Sequence, residues 1–272
     1  MEVKNAGNVI VAATEKQQMA QKPKTPATIM GSILNAESTK KLLENTLKEN
    51  AGAFSASILD LYNTDRILQQ CDPRAVFGEC LKAASLKLPI NKQLGFAYVV
   101  PYKSNGASIP QFQIGYKGLV QLALRTGAYK YINAGPVYEG EFKSADKLTG
   151  EVDLSGEKVS DNIVGYFAYI ETTNGFKKAL YWTEEKVTDH ASKYSKSYKS
   201  PSGAWTTNFD EMATKTVLRN LLSHYGYMSV EMANAFEAED NAGAAAEVMQ
   251  DDTEPIVIDA ETQDVETDAE VD

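Results

Sequence analysis

The sequence predicts an α+β fold: N-terminal helices, then β-hairpins packed on a central helix, then a long C-terminal helix. Apolar residues recur at helical spacing as far as Ser85, and they do so again from Phe209. Between Leu94 and Thr183, two Asn-Gly turn signals punctuate strand-like runs. The strand–helix alternation of a parallel sheet is missing, and no internal repeat is visible.

Each element has its own signal. Residues 1–28 are polar, carry Pro23 and Pro26, and show no periodicity, so they read as a flexible arm with structure beginning near Ile29. Ser38 to Glu49 reads as a helix on Leu42, Leu43 and Leu47, and Phe54 to Gln70 as another on Ile58, Leu61, Tyr62 and Leu68. Asp72-Pro73 opens a third, with Asp as N-cap and proline at the first helical position, running to Ser85 before Pro89. Leu94 to Lys103 and Ser108 to Ile114 form a hairpin across Ser104-Asn105-Gly106. Residues 115–126 return to helical spacing through Tyr116, Leu119, Val120, Ala123 and Leu124, with Gly127 suited to the position just beyond.

Further strands are expected at 131–142, 148–154 and 162–172, the last pairing with 176–183 across Thr173-Asn174-Gly175. Thr183 caps a short helix to His190, with Glu184 and Glu185 in its first turn. Asn208 caps a long one from Phe209 to His224, with Asp210 and Glu211 near its positive dipole end. From Glu237 the chain loses aromatics and gains charge, the composition of a disordered tail. The division is an arm over 1–28, a folded unit over 29–236 and an acidic tail over 237–272.

Charge separates the last two. Between Glu79 and Glu139 there is no Asp or Glu, yet the window holds Lys82, Lys87, Lys92, Lys103, Lys117, Arg125 and Lys130 among eight Phe and Tyr. No Lys or Arg follows Arg219, and 14 acids fall from Glu237 onward. The formal charge of −10 is therefore an average: without the tail, 23 acids face 27 cations. A basic, aromatic-rich body points to a polyanion, nucleic acid above all. The tail either competes for the basic surface, contacts a basic partner or keeps the protein soluble. No run approaches the roughly eighteen apolar residues of a membrane span, and the first residues lack a secretory apolar core, so a cytoplasmic location is expected. Cys71 and Cys80, not in a C-x-x-C pair, fit reduced, buried thiols.

Three clusters are candidates for contact with such a partner. Lys117, Gln121 and Arg125 recur every four residues on the 115–126 helix and line one edge, where two cations and an amide can track successive phosphates. A solvated helix face looks the same; the surrounding absence of acids favours the phosphate reading, since solubility faces mix both signs. Lys215 and Arg219 lie one turn apart on the long helix, where cations also simply suit the helix dipole. The segment from Lys193 to Gly203, with Lys196 and Lys199, alternates cations, hydroxyls and tyrosines, and is too polar for core; such loops grip single strands.

Catalytic signatures are missing. Gly115-Tyr116-Lys117-Gly118 has the wrong spacing for a phosphate-binding loop and lacks its hydroxyl, which argues against ATP-driven strand exchange. Two histidines without a Cys/His cluster propose no zinc site, and Asp153, Asp161 and Glu171 form no nuclease-like group in the sequence. No catalytic residue, metal or cofactor is expected. A nuclease and a phage assembly protein with a basic face remain as rivals.

The run Gln111-Phe112-Gln113-Ile114-Gly115-Tyr116-Lys117-Gly118-Leu119, continued by Leu122-Ala123-Leu124-Arg125-Thr126-Gly127, resembles the signature of the RecT family of phage and prophage single-strand DNA annealing proteins. So does Trp205-Thr206-Thr207-Asn208-Phe209 with Met212-Ala213-Thr214-Lys215-Thr216-Val217-Leu218-Arg219. The resemblance covers roughly residues 30 to 235. It implies an ATP-independent protein that coats single-stranded DNA, pairs it with a complementary strand and assembles into rings or helical filaments. A fold like that of Red beta and eukaryotic annealing proteins is implied too. So are a partner phage exonuclease and a host single-stranded-DNA-binding protein. It carries DNA contact over to Lys103, Lys117, Arg125, Lys215 and Arg219, and adds Gln111, Gln113 and Tyr116.

Overall fold

Four helices open the fold: α1 (Pro26–Asn35), for which no apolar stripe was read, and α2 (Glu37–Leu47), α3 (Ala51–Thr64) and α4 (Pro73–Ser85), which lie on the three predicted stripes. The computed structural model describes residues 25–104, 107–195, 198, 200–201 and 203–241. Helix α1 starts ahead of Ile29, because Thr25 caps it, accepting from the Thr28 N–H at 3.3 Å, and Pro26 supplies the first turn. The helix expected from Phe54 to Gln70 instead ends at Thr64. Asp65 leaves the helical region at φ −99° and ψ 100°. Its carboxylate then accepts the N–H groups of Ile67 and Leu68, both at 3.0 Å, which opens a separate 3-10 turn at Leu68–Gln70. Helix α4 starts where its Asp-Pro signal places it, with Asp72 accepting from the Arg74 N–H at 3.2 Å.

Strands β1 (Ala97–Ser104) and β2 (Ala107–Ile114) pair antiparallel from Ala97↔Ile114 to Ser104↔Ala107. The Asn105-Gly106 pair of the predicted turn lies outside the described residues. Helix α5 (Tyr116–Arg125) follows at once, and Gly127 beyond it takes φ 67°, a left-handed conformation that glycine adopts at no steric cost.

The second sheet has the order β3-β6-β7, all antiparallel, from β3 (Tyr129–Tyr138), β6 (Ile163–Thr172) and β7 (Lys177–Thr183). A small hairpin of β4 (Ser144–Ala145) and β5 (Val152–Asp153) stands between β3 and β6. The strand expected to reach residue 142 stops at Tyr138 and the one expected at 148–154 shrinks to β5, as the chain folds back through Gly140 at φ 91°. A side chain at Gly140 would meet the Glu157 carbonyl at 2.2 Å, so only glycine closes this turn.

Helix α6 (Glu184–Tyr194) is capped by Thr183 as expected and continues past His190. The short α7 (Ala204–Thr207) precedes α8 (Phe209–Tyr225), for which Asn208 stands at the N-cap without a side-chain bond. The sequence reading missed α9 (Val230–Asn241), which buries Met232, Ala235 and Phe236 and crosses into the segment read as tail. One face of the sheet, carrying Tyr166, Ala168, Ile170 and Trp182, packs with α8, whose Ala213, Val217, Leu218, Leu221 and Leu222 are buried. Each of the buried Val and Leu side chains contributes about 1.5–3 kcal/mol, which makes α8 the spine of the C-terminal half. Among the described residues no helix is long and apolar enough to cross a membrane.

Glu79 of α4 joins the hairpin to the helices. Its carboxylate accepts the Phe112 N–H on the open edge of β2 at 2.7 Å and the Lys82 ammonium at 2.9 Å. Glu79→Ala leaves that part-buried N–H without its acceptor and should cost about 1–3 kcal/mol in urea denaturation. An unchanged midpoint would mean that the hairpin is held by packing alone.

Candidate nucleic-acid interface

Two glycines seat α5. A β-carbon at Gly115 would lie 2.1 Å from the Gly95 carbonyl oxygen, and one at Gly118 would lie 2.1 Å from that of Phe96. The Gly115 N–H donates to the same Phe96 carbonyl at 2.8 Å. The first turn of α5 is thereby pressed against the backbone that leads into β1, and Lys117 is exposed between them with its stem beside Gly95. The Gly-Tyr-Lys-Gly run is a backbone docking device that presents one cation.

The predicted stripe along α5 is uneven. Lys117 is exposed, but the Gln121 side-chain oxygen is buried with no hydrogen-bond partner among the described residues. Arg125 turns back on α4, donating to the Leu86 carbonyl at 2.7 Å and the Lys87 carbonyl at 2.9 Å. It therefore caps a helix C-terminus, the placement that the dipole favours. Tyr116 is half-buried against the core, and burial pushes its hydroxyl pKa up. On the hairpin, Gln111 and Gln113 lie half-exposed, and Gln113 donates to the Tyr102 hydroxyl at 2.5 Å. Lys103 stands opposite Ser108 in β1, and its side chain lies outside the described residues.

Acids outside the window answer three of its cations, Glu79 from the same helix and Asp65 and Glu171 through the fold. Lys82 pairs with Glu79 at 2.9 Å, Lys92 with Asp65 at 2.6 Å and Lys130 with Glu171 at 2.9 Å. Among the described residues of that window, Lys87 and Lys117 are the exposed lysines that no acid answers. Lys87 was not singled out beforehand. It sits at the C′ position of α4 with φ 53°, its N–H on the Ala84 carbonyl and that of Leu88 on the Ala83 carbonyl, both at 2.9 Å. This is a Schellman closure in which glycine is the usual residue. A lysine here carries strain that glycine would remove, and the backbone carbonyl it offers is the one Arg125 grips.

The remaining candidates are dispersed. Lys215 and Arg219 are half-buried on α8, and the Arg219 guanidinium lies 4.9 Å from the Phe236 ring of α9. Lys193 is exposed in the last turn of α6, its ammonium 5.0 Å from the Tyr194 ring. Lys196 and Lys199 lie outside the described residues. Tyr198, in the segment read as too polar for core, instead packs edge-on to Trp205 with ring centres 6.1 Å apart. Among the described residues no group of three or more His, Cys, Asp or Glu is placed to hold a metal ion.

A family model described as RecT family matches residues 52–257. The chain belongs to the RecT family. Over 248 residues it is 42% identical to the uncharacterized protein YqaK of Bacillus subtilis strain 168, covering 91% of this chain and 84% of YqaK. Over 257 residues it is 26% identical to protein RecT of Escherichia coli K12, covering 89% of this chain and 88% of that protein. The match takes in the glycine-seated α5, the second sheet and α8, the elements that place this RecT-family member's exposed cations.

Across the sheet, Glu171 on β6 receives Lys130 from β3 at 2.9 Å, the Tyr169 hydroxyl at 3.2 Å and Lys177 from β7 at 3.6 Å. The Lys130 hydrogen bond, against the opposing effect of burial, holds its carboxyl below the ordinary value of 4.5. A depressed carboxyl stabilises the fold above its ordinary range and loses that contribution as pH falls through the lowered value. Glu171→Gln should therefore lower the melting temperature at neutral pH, with the gap to wild type closing as pH drops below 4.5. A gap independent of pH would remove the ionic account. At the α4 terminus, Lys87→Gly should raise stability by about 1 kcal/mol in urea denaturation while weakening DNA binding. Tighter or unchanged DNA binding would show that the lysine is incidental.

Proposed function

We propose that this RecT-family chain is an ATP-independent single-strand DNA annealing protein that coats one strand as a homo-oligomer and pairs it with its complement. The observation that carries this reading is a glycine-seated helix presenting Lys117, with Lys87 and Arg125 at its far end and no acid among the described residues answering either lysine. The unit between the arm and the acidic tail performs DNA binding, annealing and oligomerisation. A phage exonuclease that produces single strands and a host single-stranded-DNA-binding protein are its partners in recombination.

The chemistry is electrostatic. Annealing is downhill, so it needs no nucleotide hydrolysis; its obstacles are repulsion between strands and structure within each one. A basic surface neutralises phosphates and holds the backbone extended while base edges stay free. Phosphate contacts position a strand without reading its sequence, so sequence preference is weak. Lys103, Gln111, Gln113, Lys193, Lys196, Lys199, Lys215 and Arg219 add further DNA contacts to those of Lys87 and Lys117. Arg125 serves this surface chiefly by fixing α5 against the end of α4, and Gln121 adds a further contact of the stripe.

Two complementary labelled oligonucleotides, mixed without ATP, test the reading. Wild type should accelerate annealing, and Lys87→Gly/Lys117→Ala should slow it at least about tenfold while circular dichroism stays native. Loss of two phosphate contacts should also flatten the slope of log affinity against log salt by about 1.4. No acceleration by wild type at any salt concentration would end the annealing reading and favour an assembly protein.

A further inference from the structure

The link between α8 and α9 holds large apolar side chains in solvent on a pinned backbone. Tyr225 (44%), Tyr227 (58%), Met228 (41%) and Val230 (74%) are all exposed there. The Tyr227 N–H donates to the Tyr129 hydroxyl at 2.6 Å, and the Gly226 N–H to the Leu222 carbonyl at 3.0 Å. A β-carbon at Gly226 would meet that carbonyl at 2.5 Å and the Tyr129 hydroxyl at 2.7 Å. Phe176, also exposed, stands at the same end of the sheet, because the Thr173 N–H of its turn donates to the Ala128 carbonyl at 2.8 Å. These side chains form an apolar ledge where α9 begins.

Charge does not choose what covers this ledge. The Lys178 ammonium lies 4.9 Å from the centre of the Tyr225 ring, but it also packs against Gly150, beside Glu151, and Glu231 opens α9. Both signs are present, so a run of phosphates meets no excess of cations. Aromatic rings beside Met and Val, with few charges, are the composition of the core of a protein contact, and a fixed apolar ledge marks such a contact.

Two apolar runs of this chain lie outside the described residues: Val9-Ile10-Val11 in the arm and Pro255-Ile256-Val257-Ile258 in the acidic tail. The tether separates them. Helix α9 starts on the ledge at Val230, rises about 18 Å over its twelve residues and packs on β2 and α5. The 13 residues 242–254 that lead from it to Pro255 can span up to about 45 Å, enough to return to the ledge. The arm leaves instead from α1, which packs on α2, α3 and α4. The match to the family begins at residue 52, beyond the arm, and runs past α9 to residue 257, into the tail run. A short tether also gives an effective concentration on the order of millimolar, far above that of a second copy in dilute solution.

We infer that the tail run Pro255–Ile258 docks in cis on the ledge formed by Phe176, Tyr225, Tyr227, Met228 and Val230. Docking folds the tail back over α9 and holds its acids at the end of the sheet where β3 begins, four residues after Arg125. Arg125 in turn grips the Lys87 carbonyl, so the docked acids compete with DNA phosphates at that end of α5. The docking goes beyond the annealing reading; only its effect on DNA rests on it.

The test uses the full chain, with photo-reactive p-benzoylphenylalanine in place of Tyr227. A mixture of isotope-labelled and unlabelled chains is irradiated without DNA, and the adducts are mapped by mass spectrometry. The expected result is adducts to residues 254–259 of the same chain, lost in Ile256→Ser/Ile258→Ser, which leaves the folded unit and every charge intact. The same double substitution in the otherwise wild-type chain should tighten single-strand binding at low salt about fivefold, the worth of roughly one phosphate contact. Adducts to the arm, adducts joining labelled to unlabelled chains, or no adduct in the tail would overturn the docking. Equal DNA affinity with the tail adducts present would overturn the competition. Tail adducts in a chain that fails to anneal would leave the docking standing and end the annealing reading; annealing without tail adducts would do the reverse.

Discussion

The contact between the first turn of α5 and the Gly95–Phe96 backbone is the constraint on which the candidate surface depends. Two backbones approach so closely that neither Gly115 nor Gly118 has room for a β-carbon, the obstacle in each case being a carbonyl oxygen 2.1 Å away rather than a side chain that could move. Backbone cannot give way without disturbing the entry to β1 on one side and the helix on the other. The angle between hairpin and helix is therefore fixed by steric exclusion and by the Gly115 to Phe96 hydrogen bond. Lys117 inherits its position from that junction, and α5 carries it on to Arg125, which closes the loop by gripping α4.

Charge in this protein is decided in three dimensions. Lys92 and Lys130 have no acid near them in the sequence, yet Asp65 and Glu171 meet them from the end of α3 and from β6, while Lys82 pairs with Glu79 three residues before it on the same helix. Ion pairs with one exposed partner contribute little to stability. Their consequence is selection: they withdraw three cations from the surface and leave Lys87 and Lys117 available. The Lys87 backbone reinforces the point, since a lysine at φ 53° stands where glycine would be more stable. Strain of that kind persists where a side chain serves a purpose other than folding.

Helix α9 alters the picture of the C-terminal boundary. From Glu237 its sequence is acidic and reads as tail, but the helix runs on to Asn241 while Met232, Ala235 and Phe236 bury against the fold, with the Phe236 ring beside Arg219. Three buried positions in a twelve-residue stretch are too weak a periodic signal to stand out from composition. A packing site on β2 and α5 makes them a helix, and no local feature of the chain reveals that site in advance.

The sequence by itself determined what local stereochemistry controls. The Asp72-Pro73 start, the Thr183 cap, Gly127 beyond α5 and Gly175 in the β6–β7 turn all came out where their side chains, or lack of them, require, because each acts within four residues. The α+β class and the helices with strong stripes followed from periodicity for the same reason. Only the tertiary structure decided that Arg125 reaches the carbonyls at the end of α4, that the Gln121 oxygen turns inward and that Lys92 and Lys130 are paired. Those outcomes depend on contacts between residues up to 98 positions apart, as between Tyr129 and Tyr227, and a pattern read along the chain carries no term for such distances.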